Sequence, residues 1–108
     1  MSRRVRASGR SSVHSRYHIT GGCDTDKNII VAAVYQAETG SLESREFRQH
    51  REDALRAAEW FRSHKVELVI IESTANYHLL YYDTLREAGI NIAVINPIVV
   101  KSLLRVEG

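Results

Sequence analysis

Val66-Glu67-Leu68-Val69-Ile70-Ile71-Glu72-Ser73-Thr74-Ala75-Asn76-Tyr77 is an apolar run that stops at a carboxylate followed by three small residues. Leu68 to Ile71 are apolar without alternation and too few for a typical helix, which is the pattern of a strand covered on both faces. Glu72 then stands at the strand's carboxyl end. Ligands of open parallel sheets bind along that edge, so a carboxylate placed there is a candidate for chemistry. A helix cap accounts for the stretch equally well. Ser73, Thr74 and Asn76 are capping types, and a Glu near a helix start gains from the dipole.

Downstream, a helix is expected over about Asn76 to Ala88. Tyr77, Tyr81, Leu85 and Ala88 recur along one stripe, a core face rather than a base-stacking platform, and Gly89 stands where a left-handed C-cap belongs. Ile90 to Ile95 reads as a strand closed by Asn96-Pro97, and Ile98 to Leu104 as the start of a third helix. Upstream, a helix from His50 to His64 places Ala54, Ala57, Ala58 and Phe61, with Leu55, on one face, and Glu52 and Asp53 in its first turn. Before it lie three strands. Tyr17 to Asp24 contains Gly21 and Gly22, which let another backbone come close, and ends on a second carboxylate, Asp24. Ile29 to Tyr35 is a β-branched run, Ala37-Glu38-Thr39-Gly40 a turn, and Leu42 to Phe47 a polar edge strand.

The order β-β-β-α-β-α-β-α implies an α/β fold, with a mixed five-stranded sheet and helices on both faces, the ribonuclease H-like layout. If the first and fourth strands are neighbours, Asp24 and Glu72 end side by side. Two carboxylates offer hard oxygens suited to Mg²⁺ or Mn²⁺, yet two acids are half of a two-metal phosphoryl-transfer site.

Composition sets the frame without naming a function. The 108 residues make one domain, and 44% hydrophobic with 26% charged content is ordinary for a globular chain. Cys23 is the single cysteine, so no intramolecular disulfide forms. No apolar run approaches the roughly 20 residues that cross a bilayer, and together these point to a reducing, cytoplasmic setting with no membrane partner. The charge is lopsided. Residues 1–16 hold Arg3, Arg4, Arg6, Arg10 and Arg16 and no acid; the chain carries +2, so the other 92 residues carry −3. This Ser- and Arg-rich tail is expected to be disordered, with the folded domain over 17–108. Its arginines suit a nucleic-acid backbone; a transit peptide without an apolar face and a plain solvated tail are the competing readings.

Four segments carry a resemblance. Gly-Cys-Asp-Thr-Asp-Lys at Gly22 to Lys27, Ala-Glu-Thr-Gly at Ala37 to Gly40, the stretch from Glu67 to Tyr77, and Val-Ile-Asn-Pro-Ile-Val-Val-Lys at Val94 to Lys101 resemble the N-terminal domain of the DEDD insertion-sequence transposases, the IS-one-ten family. The resemblance covers nearly everything after Tyr17. It implies a RuvC-like fold and a carboxylate tetrad whose first two members are Asp24 and Glu72, as catalytic residues and as metal ligands. It also implies Mg²⁺ or Mn²⁺, DNA as partner, and in several members a structured RNA; it leaves self-association open. The family's last two acids, in a Lys-Thr-Asp-x-x-Asp stretch, and the serine of its C-terminal domain are not among these residues. A weak metal site and a chain inactive by itself are therefore expected. Lys27, like Arg3, Arg4, Arg6 and Arg10, is a candidate nucleic-acid contact, with a plain surface charge as the alternative. Asp26 intrudes where the family has small residues and could act as a rival ligand. Ala75 replaces the usual Gly, which matters only if the turn needs positive φ.

Other readings have less behind them. An actin-like or sugar-kinase-like nucleotide-binding domain shares the layout, but Asp26 would repel phosphates at its first loop. A non-catalytic nucleic-acid-binding fragment is the third reading. His14, His18 and Cys23 match no usual zinc spacing, and Ser73, His78 and Asp83 lack a nucleophile elbow.

Overall fold

The structure, a computed structural model, describes residues 17–96. Five strands, β1 (Ile19–Thr25), β2 (Ile29–Gln36), β3 (Ser41–Arg48), β4 (Leu68–Glu72) and β5 (Ile92–Ile95), form one sheet in the order β3-β2-β1-β4-β5. β1, β2 and β3 pair antiparallel, whereas β4 runs parallel to both β1 and β5. Helix α1 (Arg51–Ser63) links β3 to β4, and α2 (Leu79–Glu87) links β4 to β5. This is the expected α/β layout with its mixed five-stranded sheet. The Arg-rich tail and the helix expected from Ile98 lie outside the described residues.

One face of the sheet makes the core. Cys23 and Thr25 of β1, Ile30, Ala32 and Val34 of β2, Phe47 of β3, and Val69 and Ile71 of β4 alternate inward, as period-two strands must. Both helices described pack on that face, so helices on both faces, as the sequence implies, are not seen among the described residues; the third expected helix lies outside them. From α1 come Ala54, Ala57, Ala58, Trp60 and Phe61, and from α2 Tyr81 and Leu85. The sequence reading put Leu55 in this face and passed over Trp60. In fact Leu55 is 46% exposed, whereas Trp60 is buried against Phe47 and Phe61. Three alanines keep the helix close to the sheet, and the buried arc shifts toward the indole.

Gly21 works differently from the expectation. A Cβ there would stand 2.8 Å from the Phe61 ring and 3.1 Å from Val69, so the missing side chain admits an aromatic ring rather than another backbone. At Gly22 the nearest atom, the Ile70 carbonyl oxygen, is an ordinary 3.8 Å away. The unalternating apolar run of β4 implies cover on both faces. Among the described residues nothing covers the second face, and Ile70 is 38% exposed there.

Both helices end as their terminal chemistry requires. After α2, Gly89 (φ 84°) donates to the Arg86 carbonyl and Ile90 to that of Leu85, a Schellman pair. After α1, Lys65 takes the same left-handed place (φ 58°), with Lys65 donating to Arg62 and Val66 to Phe61.

Candidate functional site

The parallel pairing of β1 with β4 runs through Cys23 opposite Ile71. Asp24, next to last in β1, and Glu72, last in β4, each stand one residue farther, so they lie at the same edge of neighbouring central strands. Because Cys23, Thr25 and Ile71 point into the core, alternation turns Asp24 and Glu72 to the second face, where Asp24 is exposed and Glu72 half-buried.

Side chains at both ends hold that register. At the start of the pair, the Glu67 carboxylate accepts the backbone N–H of His18 at 2.5 Å and of Ile19 at 3.1 Å. These donors, Ile19 first, hold the Glu67 carboxyl below the usual carboxylate range. At the other end, the Thr25 hydroxyl donates to the Glu72 carbonyl at 3.1 Å. Beyond Glu72, the Ser73 N–H and hydroxyl both donate to the Ile95 carbonyl, at 3.0 and 3.2 Å, which extends the ladder toward β5. Ser73 therefore does not cap α2. That helix begins at Leu79 rather than Asn76, with His78 in the N-cap position and no side-chain cap.

The delay has a visible cause. Ala75 (φ 49°) and Asn76 (φ 63°) are both left-handed, and Tyr77 donates to the Thr74 carbonyl at 2.8 Å, which makes a mirror-image turn between β4 and α2. On the neighbouring loop, Asp26 donates its N–H to Ile29, and its carboxylate accepts the Lys27 N–H at 2.6 Å. The carboxylate is thus folded back onto its own turn. Lys27 is exposed in the same loop.

The structure puts Asp24 and Glu72 at the same edge of the sheet, with Lys27 three residues after the former. Arg3, Arg4, Arg6 and Arg10 lie outside the described residues. Cys23 faces the core and burial pushes its thiol up to about 12, while His18 pairs with Glu38 at 2.7 Å at the opposite end of β1. His78 is buried and Ser73 is engaged with β5, so no triad forms between them. Among the described residues, no group of three or more His, Cys, Asp and Glu is arranged to hold a metal ion. The donor set of Asp24 and Glu72, two hard-oxygen carboxylates at one open edge, fits part of a Mg²⁺ or Mn²⁺ site. Sequence reasoning missed Glu67, Thr25 and Gln49. Glu67 carried a faint signal, an acid at the start of an apolar run; Gln49 carried none.

The topology and this edge define a ribonuclease H-like α/β domain with acids at its central strand ends. Solved structures agree on the fold. A protein of Bacteroides thetaiotaomicron with an actin-like ATPase fold is 12% identical over 87% of this chain and 41% of its own, with a TM-score of 0.57. The nuclease domain of the large terminase subunit of bacterial virus Sf6, solved with manganese and β-thujaplicinol, is 15% identical over 73% of this chain and 36% of its own, with a TM-score of 0.52. An Aquifex aeolicus PPX-GPPA enzyme, 15% identical over the same shares, has a TM-score of 0.49 and adds nothing to the agreement on the fold. The chain thus spans 36% to 41% of the length of these three. At such identities nuclease and ATPase folds are not separated, because they share the layout. No protein of curated function is detectably similar in sequence. The family model described as transposase, the DEDD transposases of the IS110 (IS-one-ten) type, matches residues 21–107. The chain belongs to this transposase family. No helix among the described residues is long and apolar enough to cross a membrane.

Proposed function

We propose that Asp24 and Glu72 are the first two carboxylates of a divalent-metal site through which this domain serves DNA transposition. One observation carries the reading: the two acids stand at the carboxyl ends of the neighbouring parallel strands β1 and β4, Asp24 next to last and Glu72 last, on the same open face. Bound there, Mg²⁺ or Mn²⁺ would supply electrostatic stabilisation at a phosphoryl oxygen. The chain's own residues divide the remaining work. Asp24 and Glu72 present carboxylate oxygens, with Glu67 and Thr25 keeping their strands in register. Lys27, exposed on the loop after Asp24, meets a phosphate of the nucleic acid. Arg3, Arg4, Arg6 and Arg10 add affinity that does not depend on base sequence. DNA is the substrate, with a structured RNA and further copies of the chain as the partners to test, in the cytoplasm. Asp24 and Glu72 by themselves account for part of such a site, since the chemistry also needs further ligands and a nucleophile.

The test is a Mn²⁺ titration of the isotopically labelled chain followed by NMR, which detects weak binding through paramagnetic line broadening. Broadening centred on the amides around Asp24 and Glu72, and lost in Asp24→Asn and Glu72→Gln, is the expected result. Broadening centred elsewhere, or unchanged in both variants, overturns the assignment.

A further inference from the structure

Beyond Cys23 and Ile71 no further backbone pair joins β1 to β4, and the Thr25 hydroxyl's bond to the Glu72 carbonyl links the strand ends but not the two loops that follow them. Gln49, between β3 and α1, sits across that gap. Its side-chain amide donates one hydrogen bond to the Asp26 carbonyl at 2.9 Å and another to the Tyr77 carbonyl at 2.7 Å. The first carbonyl lies two residues after Asp24, the second five residues after Glu72. A carboxamide has two N–H donors on one nitrogen, and here both are used, one on each acid-bearing loop.

Gln49 is itself held in place. Its backbone N–H donates to the Asn28 carbonyl at 3.1 Å, and the preceding residue, Arg48, accepts the Tyr81 hydroxyl at 2.5 Å and donates to the Asp53 carboxylate at 2.6 Å. Tyr81 is fully buried, so this anchor belongs to the core. A change in the core side of the β3–α1 junction would therefore reach both loops through one side chain.

We infer that Gln49 is a positioning residue, which straps the loop after Asp24 to the turn after Glu72 and so sets the spacing of the two carboxylates. The inference rests on the reading of those acids as metal ligands. It requires the two donors on one nitrogen at this side-chain length. Methionine has similar size and no donor; glutamate has the same shape and would set a negative charge against two carbonyl dipoles; asparagine keeps the amide but is one methylene shorter.

The experiment compares Mn²⁺-induced broadening around Asp24 and Glu72 in the unsubstituted chain, Gln49→Met and Gln49→Asn, with thermal unfolding measured alongside and the titration run well below each Tm. Groups that orient metal ligands without touching the metal contribute about 10- to 100-fold in affinity, and a loss of about tenfold in the folded variants is expected. A role confined to stability would lower Tm and leave the affinity of the folded protein unchanged, which overturns the inference. If the unsubstituted chain itself shows no broadening at these residues, the metal reading falls and this inference with it. Should Gln49→Met not fold, Gln49→Asn decides by the same criterion.

Discussion

Ala75 concentrates the conflict between local preference and chain path. Its φ of 49° is a conformation that costs an L-residue with a Cβ roughly 1–2 kcal/mol, yet the turn from β4 into α2 imposes it. Asn76, at φ 63°, is a type that tolerates the same region through its short polar side chain. Ala75→Gly relieves the first strain and adds about 0.4–1 kcal/mol of unfolded-state entropy, so a net stabilisation of up to roughly 1.6 kcal/mol is expected. Thermal unfolding should then move up by a few degrees; a lower Tm would mean that the alanine methyl makes a contact worth more than the strain. The sequence showed an alanine where the resembled family has glycine. That the position is left-handed depends on where β4 stops and where α2 must begin, which no local pattern specifies.

At the scale of elements, the C-terminus of α1 is joined to the edge strand β3 by His64. One ring nitrogen meets the Trp60 carbonyl at 2.9 Å and the other the Glu43 carboxylate at 3.1 Å. The Trp60 carbonyl is the main cause, with Glu43 adding to it and burial opposing, of a His64 pKa raised above 6.5. The charged form is the one the fold favours. Its contribution to stability is therefore complete below the unfolded-state value of 6.5 and is lost as pH rises through the higher folded value. Denaturant unfolding between pH 6 and pH 8 should show stability falling over this window, with the fall reduced in His64→Gln. A pH dependence identical in the variant would assign it to other groups. The boundaries of α1 were legible from apolar spacing and acidic first-turn residues. The histidine contact was not, because it joins residues 21 apart that meet only once β3 and α1 are packed.

For the whole molecule, charge separates a basic segment over residues 1–16 from an acidic remainder. If that segment is a phosphate-binding arm, deleting it weakens binding to DNA or RNA and flattens its salt dependence. On duplex DNA each lost phosphate contact reduces the slope of log K against log salt by about 0.9, and five arginines bound the total at about 4.5. Filter-binding or anisotropy titrations from low to physiological salt measure the slope directly; an unchanged slope identifies the segment as a bystander in binding.

The sequence by itself determined the order of the described elements, the two acids near the carboxyl ends of β1 and β4, the polar edge strand β3 and the left-handed residue after α2. These follow from periodicity, terminal chemistry and residue type, all of which are local. Tertiary structure decided that β1 and β4 are neighbours in a register that aligns Asp24 with Glu72, that Trp60 rather than Leu55 completes the α1 face, and that Gly21 makes room for Phe61. It also decided that Glu67 fastens the start of the β1–β4 pair, that Thr25 fastens its acid-bearing end, and that Gln49 bonds to both acid-bearing loops. Each is a relation between segments distant in the chain, set by which hydrogen bonds and packed volumes can be satisfied together. That joint condition leaves no periodic trace in the sequence.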